Sequence, residues 1–180
     1  ICIRYIHNIK NEEKKMPNWC ENEIKIEGPT STIHQLWLDA RSYESNDNGQ
    51  ALLEAMEPIG EWDYDTAVNS WGCKWDVDIE GLEYWDNSDG TSSISGFMSS
   101  AWSPPIEACD AFLENNPHCS IEMSYIETGV GYGGTYLNGD NESMDKLYEE
   151  SKKEPEDQSD LFNLLDDRFD LTSMYLEEGI

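Results

Sequence analysis

The stretch Trp71–Glu80 is where the aromatic and the acidic residues of this sequence meet, and it constrains the fold more than any other. Side chains of a β-strand alternate between its two faces. Read as a strand, the stretch has two unlike faces, one of Cys73, Trp75, Val77 and Ile79 and the other of Lys74, Asp76, Asp78 and Glu80. We therefore predict a strand that turns an apolar face to a core and three carboxylates to solvent.

The charge balance restricts the kinds of partner. The sequence has 38 Asp and Glu against 11 Lys and Arg, a formal net charge of −27 in 180 residues. Such a surface repels phosphates and anionic lipids, so direct binding to nucleic acid or to membranes is disfavoured. It attracts basic protein surfaces and cations instead. High net charge is also typical of disordered chains, but 7 Trp, 9 Tyr and 4 Phe supply the apolar area for one core.

The cysteines and the N-terminus indicate the compartment. The five cysteines are widely spaced and form no C-x-x-C pair, so neither a zinc ribbon nor a thioredoxin motif is predicted. No apolar run reaches the roughly 18 residues of a membrane span, and residues 1–15 lack the apolar centre of a secretory signal. We expect a cytoplasmic protein. The basic residues 1–15 precede Met16 and are interpreted as a leader or an upstream extension.

Periodic patterns predict the elements of one domain. Strands are predicted by alternation over 20–29, 71–80, 92–102 and 119–127, with an edge strand after the glycines of 129–139. Helices are predicted by apolar spacing and start signals over 30–40, over 51–56 and from Ser103-Pro104-Pro105. The main elements in chain order are strand, helix, strand, strand, helix and strand, which is the βαββαβ order of a ferredoxin-like α+β fold.

The predicted organisation is a ferredoxin-like domain over 16–139 followed by an acidic helical tail over 140–180. The boundary is placed at Asp140 because acidic residues become denser there and two helical patterns begin. The second pattern, from Ser159 to Met174, is amphipathic. Two interpretations stay open for it: a helix that docks on the domain, or a segment that is kept free for a partner.

Four short motifs resemble one known family by their order along the chain. They are Pro17-Asn18-Trp19-Cys20, Trp71-Gly72-Cys73-Lys74-Trp75-Asp76, Ala101-Trp102-Ser103-Pro104-Pro105, and Tyr125-Ile126-Glu127 ahead of Gly129. Over about residues 16–139 the chain resembles the YubB ferredoxin-like domain family of phage- and plasmid-encoded proteins. The resemblance implies the same fold and an origin in a mobile element, and it brings no catalytic residues.

Candidate sites for chemistry are few. Asp76, Asp78 and Glu80 carry the oxygen ligands that Mg²⁺ and Ca²⁺ prefer, but alternate strand residues lie about 6.6 Å apart and no EF-hand loop is present. We expect no metal, no cofactor and no catalytic residue, and we predict that the protein is not an enzyme. A set of tryptophans is interpreted as core and not as a platform for bases, because cations are lacking nearby: Trp19, Trp71, Trp75 and Trp102.

The function that these patterns favour is binding to a host protein with a basic surface, such as a nuclease, a restriction enzyme or another defence factor. The acidic surface would imitate DNA and act as a counter-defence inhibitor. The predicted partner-binding residues are Glu61, Asp63, Asp65, Asp76, Asp78, Glu80, Asp166, Asp167 and Asp170. Two alternatives stay open: a binding module whose acidity serves solubility only, and a metal-dependent enzyme that uses the strand carboxylates.

Overall fold

A computed structural model describes residues 18–44 and 51–177. The strands are β1 (Trp19–Pro29), β2 (Leu82–Asp86), β3 (Thr91–Ala101), β4 (Ser120–Glu127), β5 (Tyr132–Leu137) and β6 (Asp140–Asp145). They form one sheet in the spatial order β2-β3-β1-β4-β5-β6, and every neighbouring pair is antiparallel. The predicted leader, residues 1–15, lies outside the described residues.

The helices complete the predicted fold. They are α1 (Thr30–Glu44), α2 (Leu52–Met56), α3 (Tyr64–Trp71), α4 (Ile106–Asn115), α5 (Leu147–Ser151), α6 (Asp160–Phe169) and α7 (Leu171–Glu177). The order β1-α1-β2-β3-α4-β4, with β1 and β3 central among these strands, is that of a ferredoxin-like α+β domain. Helices α2 and α3 are inserted between α1 and β2. None of the described helices is long and apolar enough to cross a membrane.

The main core lies between the sheet and the helices α1 and α4. The period-2 alternation of β1 turns Ile24 and Ile26 into this core, beside Ile94 of β3 and Ile121 of β4. The helices supply the opposing apolar side chains at helical spacing: Ile33, Leu36, Ala40, Ala108, Cys109 and Phe112. Helix α2 and the end of α3 extend the same core, with Leu52, Leu53 and Trp71 buried.

The C-terminal helices cover the opposite face of the sheet. Phe162 and Leu165 of α6 are buried with Ile126 of β4 in a second cluster, which Leu147, Leu171 and Tyr175 complete. The predicted boundary at Asp140 falls inside the sheet, because β6 pairs with β5 along its whole length. The strand β5 is therefore not the edge strand that the sequence predicted. The amphipathic pattern of α6 is used for docking on the domain.

The predicted strand over 71–80 is wrong. Trp71 is the last residue of α3, and Gly72 ends that helix in the left-handed conformation with φ of 83°. Residues 73–81, which we call the crossing segment, connect α3 to β2 without joining the sheet. Cys73, Val77 and Ile79 are buried as the alternation predicted, but Trp75 is exposed and the Asp76 side chain turns inward. Apart from Trp75, the residues of the crossing segment therefore alternate between buried and more exposed positions although the segment is not a β-strand.

Candidate functional site

The structure divides the predicted partner-binding acids into two groups. The exposed group, which we call the acidic rim, consists of Glu61, Asp63, Asp65, Asp78, Glu80, Asp167 and Asp170. The other two acids, Asp76 and Asp166, are half-buried and accept hydrogen bonds from backbone amides. The first group is the more accessible to a partner surface.

Asp76, which the sequence predicted as a partner-binding acid, has a structural role inside the domain. Its carboxylate accepts the backbone N–H groups of Leu53 at 2.7 Å, Glu54 at 2.8 Å and Val77 at 2.7 Å. The bonds from Leu53 and Glu54 satisfy two amides in the first turn of α2, whose N-cap residue Ala51 supplies no side-chain bond. Burial raises the pKa of Asp76 to about 6, and the backbone amides of Glu54, Leu53 and Val77 oppose that rise.

Asp166 has a comparable structural role at the C-terminal end. Its carboxylate accepts the backbone N–H of Thr172 at 2.6 Å and the Thr172 hydroxyl at 3.0 Å. This predicted partner-binding acid thereby joins the end of α6 to the first turn of α7. Sequence reasoning missed two further structural acids: Glu54 accepts the amides of Ile59 and Gly60, and Glu127 accepts those of Gly129 and Val130.

Contacts at both ends of the crossing segment link it to the other parts of the acidic rim. At one end, Trp62, between two rim acids, donates its indole N–H to the Lys74 carbonyl at 3.0 Å. At the other end, the Phe97 amide donates to the Gly81 carbonyl at 3.0 Å, and the Phe97 ring meets that of Phe169 at 6.5 Å between centroids. These contacts connect the start of α3 to the crossing segment, and the end of the crossing segment, through Phe97, to the junction of α6 with α7.

No acid of the rim is neutralised by an ion pair among the described residues. The ion pairs found there are Lys25–Glu27, Glu150–Lys153 and Glu23–Arg168. Two of these pairs lie on the sheet face that α6 partly covers, where Glu23, Lys25, Glu122 and Arg168 line a groove of about 560 Å³. The groove is therefore close to electrical neutrality, whereas the rim keeps its charge.

Uncompensated charge predicts a response of stability to salt. Repulsion between exposed carboxylates destabilises the folded state, and salt screens it over about 8 Å at physiological ionic strength. We expect the melting temperature to rise as NaCl is increased from low to molar concentration. Scanning calorimetry at fixed pH measures this, and an unchanged melting temperature would show that bound cations already neutralise the rim.

Three of the four tryptophans predicted as core are exposed. Trp71 is fully buried as predicted, and its indole N–H donates to the Glu57 carbonyl at 2.9 Å. Trp19, Trp75 and Trp102 instead expose 47%, 37% and 41% of their surface. Trp19 lies on the sheet face opposite α1 and α4, and Trp102 follows the last residue of β3. Their positions outside the two cores explain why they are not covered.

These tryptophans join two other exposed aromatic residues around one lysine. We call the set Trp19, Trp62, Tyr64, Trp75 and Trp102 the aromatic cluster. The Lys74 ammonium lies 4.4 Å from the ring centroid of Trp75 and 5.0 Å from that of Trp102. Ring centroids are 6.2 Å apart for Trp19 and Trp75 and 6.1 Å apart for Tyr64 and Trp102. These are distances typical of cation–π and aromatic pairs.

The backbone of Trp102 is held in an unfavourable conformation. Its φ is 77°, in the left-handed region that bulky residues rarely adopt. The Trp102 amide donates to the Asn18 carbonyl at 2.9 Å, and its carbonyl accepts the Tyr132 hydroxyl at 2.9 Å. Strained residues that are held by their surroundings cluster at functional sites. The strain at Trp102 therefore makes the aromatic cluster a candidate binding surface.

Two substitutions at Trp102 separate its backbone strain from its ring. Both Trp102→Gly and Trp102→Ala remove the ring, but only glycine adopts a positive φ without a steric penalty. We expect Trp102→Gly to be more stable than Trp102→Ala by about 1 kcal/mol in urea unfolding. Equal stability of the two variants would show that the left-handed conformation at this position is not strained.

The described residues offer no assembled metal site. No three His, Cys, Asp or Glu side chains among them lie close enough to hold one metal ion. The predicted carboxylate row is broken up, because Asp76 turns inward while Asp78 and Glu80 stay in solvent. Burial raises the pKa of the Cys20 and Cys73 thiols to about 12 and also raises that of Cys109, so these thiols are protonated and unreactive near neutral pH.

Comparison with known proteins bears on the second half of the chain. Residues 82–165 match a family described as the ferredoxin-like domain in Api92-like protein. This part of the chain is similar to the Api92 ferredoxin-like domain. A search of the curated proteins found no match. Among solved structures, the crystal structure of a protein api92 from Yersinia pseudotuberculosis is similar at 18% identity over 49% of this chain and 32% of that chain, with a TM-score of 0.33.

The Api92-like part begins at β2 and ends within α6. It thus includes β6 and part of the second core, whereas Trp19, Trp62, Tyr64 and Trp75 of the aromatic cluster precede it. The aligned region spans about a third of the length of the Yersinia protein.

Proposed function

We propose that the protein is a non-enzymatic binding protein whose partner is a protein with a basic surface. The observation that carries the proposal is the acidic rim, whose exposed carboxylates are not paired with a cation among the described residues. Uncompensated charge attracts a surface of opposite sign and accelerates encounter with it.

The finer proposal is that the rim imitates DNA. A basic protein surface that binds the rim is of the kind that binds phosphates, so the protein would compete with nucleic acid for a host nuclease, restriction enzyme or other defence factor. The resemblance of the four sequence motifs to the YubB family supports an origin in a phage or plasmid, and hence action in the cytoplasm of a bacterial host. Counter-defence inhibition fits such an origin.

The test is capture from bacterial lysate on the immobilised protein at low and high salt. We expect basic proteins to be retained at low salt, released as salt rises, and displaced by duplex DNA. A matched pair of variants locates the surface, each removing the same number of charges. The rim variant carries Glu61→Gln, Asp65→Asn, Asp78→Asn and Glu80→Gln, and the control variant carries Glu149→Gln, Glu154→Gln, Glu156→Gln and Asp157→Asn.

The rim variant should associate at least about tenfold more slowly with a captured protein, while the control variant should keep most of the rate. Equal losses in the two variants would favour a diffuse attraction and a module whose acidity serves solubility. If a partner is retained but duplex DNA does not displace it, the proposed mimicry of DNA is rejected. The proposed binding to a basic protein would still stand. A Mg²⁺-dependent turnover of any substrate would reject the non-enzymatic proposal.

A further inference from the structure

Lys74 contacts aromatic rings and forms no ion pair with an acid among the described residues. The sequence has 38 acidic residues, yet Lys74 takes part in none of the ion pairs of residues 18–44 and 51–177. Its ammonium lies over the rings of two exposed tryptophans, Trp75 and Trp102. The aromatic rings therefore form a cation–π site, and Lys74 of the chain itself occupies this site.

We infer that the aromatic cluster is the anchor for an arginine side chain of the basic partner, which enters in place of the Lys74 ammonium. The inference deepens the proposed function and rests on it, because the arginine belongs to the same partner that meets the acidic rim. A guanidinium is planar, stacks on aromatic faces and is less strongly hydrated than an ammonium. An arginine guanidinium can therefore displace the lysine ammonium that lies over the same rings.

The surroundings of the cluster complement a guanidinium. The cluster residues Trp62 and Tyr64 alternate with Glu61, Asp63 and Asp65 of the rim. Asp63 is already engaged as the cap of α3, where it accepts the Thr66 amide and hydroxyl. Glu61 and Asp65 are exposed and carry no ion pair in the described part of the chain, so they are available for the N–H edge of the arginine.

Other occupants fit less well. Nucleic-acid bases also stack on exposed aromatic residues, but such sites combine the rings with cations that follow the phosphates. Here the rings lie beside an acidic rim and a single lysine. Tryptophan, tyrosine and arginine are the residues most enriched at energetic centres of protein interfaces, which fits a cluster of this composition opposite an arginine.

The probe is a short Gly/Ser peptide that carries arginines, compared with its lysine and citrulline counterparts and with a single-stranded oligonucleotide. Binding is followed by tryptophan fluorescence at low and physiological salt. We expect the arginine peptide to bind most tightly, the citrulline peptide to bind least, and the oligonucleotide not to compete. Trp75→Leu should weaken arginine binding by about fivefold or more, and the matched control Trp85→Leu, at an exposed tryptophan of β2 outside the cluster, should not.

Removal of the resident lysine gives the sharper test. Lys74→Ser should tighten arginine binding by about fivefold, because the rings become free. Lys152→Ser is the matched control, because it removes the same charge. Lys152 also lies over an aromatic ring, that of Tyr148, outside the aromatic cluster. Equal tightening in both variants would mean that only net charge matters, and it would overturn the inference.

The outcomes distinguish the two proposals. Salt-sensitive binding of both basic peptides that is unchanged by Trp75→Leu would overturn the arginine anchor and leave the acidic binding surface intact. A lysine peptide that binds as tightly as the arginine peptide, or an oligonucleotide that quenches the same tryptophans, would also overturn the anchor. Absence of binding by any basic peptide at low salt would overturn the proposed function itself, and the anchor with it.

Discussion

Replacement of Asp76 by alanine should cost about 3 kcal/mol of unfolding free energy, a large effect for one exposed-looking acid in an acidic sequence. The variant leaves the amides of Leu53, Glu54 and Val77 without the carboxylate that accepts them. Loss of a helix cap alone costs about 1 kcal/mol, and buried donors without a partner add to it. Urea unfolding followed by circular dichroism measures the loss.

Asp78→Ala is the matched control for that experiment. Asp78 is exposed, and its carboxylate accepts one amide, that of Glu80, at 3.0 Å. A surface acid of this kind changes stability by about 0.5 kcal/mol or less. If the two variants lose equal stability, the carboxylate of Asp76 does not hold the start of α2, and the crossing segment is not fixed in the way described.

The pH dependence of the Asp76→Ala variant gives an independent check. Burial raises the folded-state pKa of Asp76 to about 6, above its unfolded value near 3.9. The folded state therefore binds this proton more tightly, so the stabilisation is present below pH 4 and is lost as the pH rises through about 6. The stability difference between wild type and variant should widen as the pH falls from 7 to 5. A constant difference would contradict the raised pKa.

Much of the fold could be predicted from local patterns. The alternation of β1, the turn between β2 and β3 and the proline-marked start of α4 each depend on neighbouring residues, and their order identifies the ferredoxin-like topology. The strand β6 was missed because Asp140–Asp145 has a single apolar residue, Met144, so no alternation marks it. It forms through backbone bonds to β5, and such a contact leaves no pattern in hydrophobicity.

The prediction of a strand over 71–80 was wrong for a different reason. Burial of Cys73, Val77 and Ile79 has the period of a strand, yet the segment pairs with no strand. The distant amides of Leu53 and Glu54, which draw Asp76 inward, cannot be inferred from the residues around it. Tertiary hydrogen bonds of this kind determine whether an acidic side chain is exposed to solvent or has a structural role.

The aromatic cluster left a signal that the sequence analysis did not use. Glu61, Trp62, Asp63, Tyr64 and Asp65 alternate acidic and aromatic residues just where a helix begins, so the aromatic residues there have charged neighbours on both sides. Tryptophans beside several charged residues are poor candidates for a core. Their convergence on Lys74, however, requires β1, α3 and the end of β3 to meet in space, and only the structure shows that.

Replacement of Phe162 by alanine tests whether the C-terminal helices are a separate cooperative unit. Phe162 is fully buried in the second core with Leu165 and Leu171, on the sheet face opposite the main core. Removal of such a ring costs about 3 to 5 kcal/mol, which is comparable to the stability of a small docked unit. We expect α5, α6 and α7 to detach while the βαββαβ core stays folded, since the main core lies on the other face.

Hydrogen exchange read by mass spectrometry separates the two parts. In Phe162→Ala, exchange should rise by orders of magnitude in residues 147–177 and stay slow in β1 and β3, because local opening then requires little free energy. Leu176→Ala is the control, since Leu176 is 77% exposed and its loss should leave exchange unchanged. The groove between α6 and the sheet should open in the same variant, because Leu164 and Arg168 of α6 form one of its walls. Uniform acceleration over both parts would instead show that the two cores unfold together, as one cooperative domain.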